Sequence, residues 1–292
     1  MPRAIILKPG YGKFTACWPL ERSQPNWSGS RFALWTHRRN ERLPDLSAEK
    51  WLKIVVPYRD RDAQLRRFLP HVRQYFAANG DIRYRIVIVE QEDGLPFNRG
   101  AIKNVGFLLS GEAEYTCFHD VDYLPVSADY SWADVPTGLV WFGAESIPIS
   151  SSPDTHYIRP DMPNFFGGAI LIPNHVFERV DGYSNDYWGW GYEDTDLMLR
   201  FKAARIPCAR RKGFFRPLFH ESDGYEANGD MKSAGLANRA LQKGKWAPNR
   251  RAGRDGLSTI SYEILSREAI ADPAGREHGP CERIKVRLKI AS

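Results

Sequence analysis

The sequence predicts an α/β domain with a mainly parallel central sheet flanked by helices. Three observations carry that expectation: short apolar β-branched runs, helical repeats between them, and charged motifs where the runs end. Strands of a parallel sheet read as continuous apolar runs because helices cover both faces. Leu52-Lys53-Ile54-Val55-Val56-Pro57 is the first such run, ended by proline. Leu65, Phe68, Leu69, Val72, Tyr75 and Phe76 then recur at helical spacing until Asn79-Gly80. Tyr84 to Glu90 is the second strand, and Asn98 to Ser110 the second helix, with Ile102, Val105, Leu108 and Leu109 on one face. Tyr115 to His119 is the third strand and leads straight into Asp120-Val121-Asp122. Phe165 to Pro173 reads as a strand carrying Gly167 and Gly168, and Glu193 to Ala204 and Lys232 to Leu241 read as helices. Arg283 to Leu288 alternates charged and apolar residues, which predicts an edge strand with one wet face.

The 292 residues are enough for one large domain or two modest ones. Residues 1–50 set Trp18, Trp27 and Trp35 among Arg, Ser, Pro and Asn, and read as an arm packed on a main domain of residues 51–292. Hydrophobic content of 42% and charged content of 26% are those of a soluble globular chain. Aromatic content is 13%, with nine Trp, and aromatics stack well on sugars or bases. The net charge of +6 favours anionic ligands such as phosphates, yet the 41 Lys and Arg are scattered, which argues against a nucleic-acid partner. Cys17, Cys117, Cys208 and Cys281 lie far apart, with no zinc-like spacing, and read most simply as free thiols in a reducing compartment, with one or two disulfides as the alternative. No apolar run is long enough to cross a membrane, and the first residues lack the apolar core of a signal peptide. Nothing in the pattern specifies an oligomeric state.

Ligands of open α/β sheets bind beyond the carboxyl ends of the strands. Two charged motifs fall there. Pro57-Tyr58-Arg59-Asp60-Arg61 offers guanidiniums that can grip phosphate through paired hydrogen bonds, and a tyrosine that can face a base. Read alone, it is equally an arginine–aspartate surface network. Phe97-Asn98-Arg99, beyond the second strand, belongs near the same crevice. In strand geometry Asp120 and Asp122 would point to one face while Val121 anchors the other. Such a pair can hold Mn²⁺ or Mg²⁺ and through it a diphosphate, or it can be a solvated turn. His220, with Glu221 and Asp223 nearby, is either a second metal ligand or a satisfied structural histidine.

Asn185 to Asp196 is the most unusual stretch: glycines space Trp188 and Trp190, and Glu193, Asp194 and Asp196 follow within four residues. A core would not use glycine to separate indoles, because glycine packs nothing and is costly to order. Flat rings recognise sugars, and an acid can take a proton from a sugar hydroxyl. The bland alternative is a surface loop with a solvated acidic turn.

Together these residues resemble one family. Pro57-Tyr58-Arg59-Asp60-Arg61, Phe97-Asn98-Arg99, His119 to Pro125, Phe166-Gly167-Gly168 and Trp188 to Asp194 occur in the order and spacing of the β-1,4-galactosyltransferases. Gly256 to Tyr262 and Gly279-Pro280-Cys281 are similar to the members that galactosylate xylose. The likeness runs from about residue 52 to the end. It implies a GT-A type nucleotide-sugar fold, a UDP-galactose donor, a saccharide or glycoconjugate acceptor, Mn²⁺ (or Mg²⁺), inversion at the anomeric carbon and a β-1,4 linkage. By position, Pro57, Tyr58, Arg59, Arg61, Phe97, Arg99, Asp120, Val121 and Asp122 would bind the donor. Asp122 and His220 would hold the metal. Trp190 would close over donor and acceptor, Gly168 and Glu193 would meet the acceptor, and Asp194 would be the catalytic base.

Three departures from the family pattern are visible. Leu218 and Pro217 stand where a further metal ligand is usual, which implies water in the metal shell. Thr195 replaces a third acid associated with acceptor binding. Phe165 replaces a tyrosine associated with choosing galactose over N-acetylgalactosamine. The rival readings are an N-acetylhexosaminyltransferase of the chondroitin-synthase type and a catalytically silent sugar-binding module. Pro57 to Arg61 and the doubled Trp-Gly favour the first reading over the former rival. The retained Asp122, Asp194 and His220 favour it over the latter. The expected compartment is the bacterial cytoplasm, or the Golgi lumen if an anchor was removed.

Overall fold

A computed structural model describes residues 50–79, 82–140, 166–218, 229–247, 255–274 and 279–289. At the centre, β1 (Trp51–Tyr58) pairs in parallel with both β2 (Arg83–Gln91) and β3 (Tyr115–His119). β10 (Cys281–Leu288) extends this parallel core beside β2. Antiparallel strands flank it: β6 (Ala169–Pro173) on β3, and β9 (Tyr262–Ala269) on β10. With β5 (Thr137–Gly138) and β7 (Ala209–Arg210), the order is β7-β5-β6-β3-β1-β2-β10-β9. A separate ribbon pairs β4 (Tyr123–Ser127) with β8 (Phe214–Pro217).

Strand alternation explains the layers. Leu52, Ile54 and Val56 share one core with Leu65, Phe68, Leu69, Val72 and Phe76 of α1 (Asp62–Asn79). Val55, Val87 and Val89 share the other with α2 (Arg99–Leu109), α3 (Asn174–Arg179) and α4 (Glu193–Ala203). Each of these aliphatic side chains, fully buried, stabilises the fold by about 1.5–3 kcal/mol. Gly106 lets α2 settle onto the sheet, since a Cβ there would lie 2.3 Å from Val55 Cγ1. The last helix, α5 (Gly229–Lys245), is longer at both ends than its apolar spacing predicts.

Four expectations need correction. β10 is no edge: it pairs on both sides, and the exposed edge is β9. Alternation reports which face is wet, not which edge is free. Asp120-Val121-Asp122 is a turn between β3 and β4 rather than strand, although Val121 is buried. Leu108 is exposed, and Gly106 and Phe107 fill the buried face instead. Pro57 does not end β1, which runs on through Tyr58. The expectations for residues 1–49, Phe165, His220, Glu221 and Asp223 lie outside the described residues.

Candidate active site

The carboxyl ends of β1, β2 and β3 lie side by side, and the loops beyond them carry the charged motifs. After Tyr58, Asp60 takes a left-handed conformation (φ 48°) and turns the chain into α1. Tyr58 is only 1% exposed. Its hydroxyl donates to Asp62, and the Arg283 guanidinium covers its ring at 4.8 Å. Arg283 is itself held by Glu90 through two hydrogen bonds of 2.7 and 2.8 Å. Tyr58 therefore supports the site from beneath and does not present an open face to a base. Burial and the Asp62 contact push its hydroxyl up to about 12. Arg59 donates to the carbonyl of Leu95 and so ties β1 to the loop that follows β2. Arg61 Nη1 donates to the neighbouring Asp60 carbonyl at 3.2 Å.

That loop is fixed from within. Gln91 accepts from the Asn98 amide at 2.7 Å, and Asn98 caps α2 by accepting from Ala101 N at 2.9 Å. The Asn98 side chain also donates to the Asn185 carbonyl at 2.6 Å, and the Phe97 carbonyl accepts from Gly189 N at 2.9 Å. Phe97 and Asn98 thus join the loop after β2 to the tryptophan–glycine segment. Arg99 and Lys103, one turn apart, project from the same face of α2.

On the acidic side, Asp120 N donates to the Gly168 carbonyl at 2.7 Å, so Gly168 buttresses the Asp120 turn. Gly168 needs its positive φ (73°), and a Cβ there would lie 3.0 Å from Val140 Cγ2. The Asp122 carbonyl accepts from Leu218 N at 2.6 Å, which seats Leu218, two residues before His220, beside Asp122. Asp120 Oδ1 is buried without a hydrogen-bond partner, which fits a turn built to meet a cationic or hydroxylic ligand. Among the described residues no group of three or more His, Cys, Asp or Glu is gathered for a metal. Asp122 supplies one oxygen donor of the kind Mn²⁺ accepts.

Gly189, Gly191 and Tyr192 all have positive φ (75°, 90° and 77°), which winds the chain tightly into α4. Glu193 and Asp194 consequently occupy the first turn of α4, where the helix dipole favours carboxylates. Arg99 Nη1 lies 3.4 Å from both Asp120 Oδ2 and Glu193 Oε1. Lys103 Nζ lies 3.0 Å from Asp194 Oδ1. Burial pushes the Asp194 carboxyl up to about 6; Lys103 pulls it down, and Glu193 and Asp120 push it up further. Asp196 faces the other way: it accepts from Tyr187 Oη at 3.0 Å, Trp246 Nε1 at 2.7 Å and Arg200 Nε at 2.8 Å. Of the three acids, two face the site and one holds the scaffold.

Trp190 is 44% exposed and rests against α5 at Gly235. Asn238 of α5 reaches the carbonyls of Trp188, Trp190 and Gly191, each at 3.1 Å. Lys103, Asn238 and Arg283 were not singled out from the sequence. A buried carboxyl poised near 6 beside a cation can take a proton from a hydroxyl at neutral pH.

Several known proteins are similar to this chain. A family model described as the N-terminal region of glycosyl transferase group 7 matches residues 38–132. Another, described as the N-terminal domain of galactosyltransferase, matches residues 149–221. Human β-1,4-galactosyltransferase 7 is 31% identical over 241 residues, 81% of this chain and 67% of that protein. The xylosylprotein 4-β-galactosyltransferase of Caenorhabditis elegans is 30% identical over 222 residues, 75% of this chain and 73% of that protein. A crystal structure of a Drosophila β-1,4-galactosyltransferase 7 mutant with manganese, UDP-Gal and xylobiose superposes with a TM-score of 0.63. The alignment covers 83% of this chain and 95% of that one at 24% identity, and supports the shared GT-A type fold.

Proposed function

Since this chain belongs to the β-1,4-galactosyltransferase family, we propose that it moves galactose from UDP-galactose to a sugar hydroxyl, with inversion and with Mn²⁺ bound. The observation that carries the reading is the Arg99 bridge, which holds the Asp120 turn and the Glu193-Asp194 pair in one site. The acceptor oxygen attacks the anomeric carbon opposite the diphosphate, the bond to the diphosphate breaks, and the acceptor proton passes to Asp194. Glu193, fixed by Arg99, positions the sugars. Arg59, Arg61 and Arg99 face the anionic donor, supported by Pro57, Tyr58 and Phe97. Asp122 and His220 would hold Mn²⁺, which when bound supplies positive charge against the departing diphosphate. Trp190 lies over the sugars and keeps water away from the donor. A xylose-bearing acceptor is the first choice, given the xylosylprotein enzyme among the relatives.

The same proposal takes residues 51–292 as the catalytic domain. No described helix is long and apolar enough to cross a membrane. Among the described residues, Cys117, Cys208 and Cys281 are free thiols.

A donor panel tests the function. The protein is incubated with Mn²⁺, each of several UDP-sugars and a xyloside, and UDP release is measured with and without chelator. Release with UDP-galactose that chelator abolishes is the expected result. Preference for UDP-N-acetylgalactosamine would favour the hexosaminyl reading, and no release with any donor from folded protein would leave a binding module.

A further inference from the structure

Lys103 is the least expected charge in the site. Its side chain is 1% exposed, in a helix whose neighbouring positions Ile102 and Val105 are core. Burial alone would push its ammonium down; the carboxylates of Asp194, Asp120 and Glu193 outweigh that and hold it above its ordinary value, so it stays charged. A buried ammonium is costly unless paired and hydrogen-bonded. Its ammonium donates to Asp194 Oδ1 at 3.0 Å, and its charge also lies over the Tyr183 ring at 4.7 Å.

The geometry points to Lys103 as a positioning residue for the base: its ammonium holds Asp194 Oδ1 and leaves Oδ2 to receive the acceptor proton. The inference rests on the reading of Asp194 as base. In the transfer step the acceptor oxygen supplies the electron pair for the new glycosidic bond. The pair of the broken bond leaves on the diphosphate, the proton moves to Asp194, and Lys103 keeps its own. Without the cation, Asp194 could rotate, or be protonated at neutral pH, because Glu193 on α4 and Asp120 on the β3–β4 turn both disfavour its charge. Arg99 on α2 is the other cation facing it, but its short contacts are to Asp120 and Glu193. Tyr183, whose ring lies 4.7 Å from the Lys103 ammonium, is the remaining titratable neighbour, and burial, then Asp194, drives its hydroxyl well above its ordinary range.

Lys103→Met removes the charge and keeps the length. The expected result is a fall in kcat of about 10- to 100-fold, part of the larger factor a positioned base supplies. The KM for UDP-galactose should stay near the wild-type value, and the acid limb of kcat should move to higher pH. Lys103→Arg should keep the wild-type limb. A merely structural lysine would lower the amount of active enzyme without moving the limb. An unmoved limb with kcat within twofold of wild type would overturn the inference. If Lys103→Met fails to bind UDP, Lys103→Gln is read in its place for the same limb. Asp194→Asn, measured beside it, separates the two ideas. If Asp194→Asn transfers normally, the base assignment fails; if it is inactive while Lys103→Met behaves as wild type, only the role of Lys103 fails.

Discussion

The side-chain amide of Asn238 lies 3.1 Å from the main-chain carbonyl of Trp190, and the same amide reaches the carbonyls of Trp188 and Gly191. One polar group on α5 thus fixes the backbone that carries the exposed indole. Asn238 is buried, so the contact is shielded from water. Asn238→Ala should leave UDP affinity unchanged and lower kcat/KM for the acceptor roughly tenfold, the equivalent of about 1.4 kcal/mol. Initial-rate kinetics over acceptor concentration check this; an unchanged kcat/KM would remove Asn238 from the account.

The pH profile follows from Asp194. Its carboxyl is raised to about 6, chiefly by burial, and only the deprotonated form can accept a proton. Transfer should therefore fall as pH drops through about 6, approaching tenfold per pH unit below it. Stopped assays across pH 4.5–8 at about saturating donor would show that limb; a profile flat to pH 4.5 would contradict it.

Asp196 governs stability rather than chemistry. It is buried and holds Tyr187, Trp246 and Arg200, tying α4 to the residue just past the end of α5. Asp196→Ala leaves the Arg200 guanidinium without its closest carboxylate and should cost about 3–5 kcal/mol. Chemical unfolding monitored by tryptophan fluorescence gives the number, and a loss under about 1 kcal/mol would show that the cluster relaxes.

Gly106 is where α2 touches the sheet. Alanine would gain about 1 kcal/mol of helix propensity, but its Cβ would press on Val55, which the sheet pins in place. Overpacking of this kind typically costs about 1–3 kcal/mol. The net result should be a destabilised protein with a lower Tm and unchanged KM values, read by thermal unfolding and kinetics.

Much of this was legible in the sequence, for reasons tied to particular residues. Ile54-Val55-Val56 and Ile86-Val87-Ile88 read as buried parallel strands because helices cover both faces, and both faces then demand apolar side chains. Asn98 marked the start of α2 because its side chain satisfies an otherwise orphaned amide. Lys103 was hidden because a lysine in an amphipathic helix ordinarily marks the wet side. Its only signal was the four-residue step from Arg99, which sets both cations on one face. Asn238 was hidden because it binds main-chain carbonyls, which leave no mark on side-chain patterns. β10 misled because its charged residues lie on the wet face of a strand whose two edges are both paired: Arg283 and Lys285 reach Glu90, and Arg287 reaches Glu263.

The most direct measurement is formation of a β-linked galactoside from UDP-galactose and a xyloside, followed by NMR, for the wild type and Asp194→Asn in Mn²⁺. The account requires a β-linked product from the wild type, and none above background from a variant that binds UDP-galactose equally well. An α-linked product, or a variant that transfers at the wild-type rate, would contradict it.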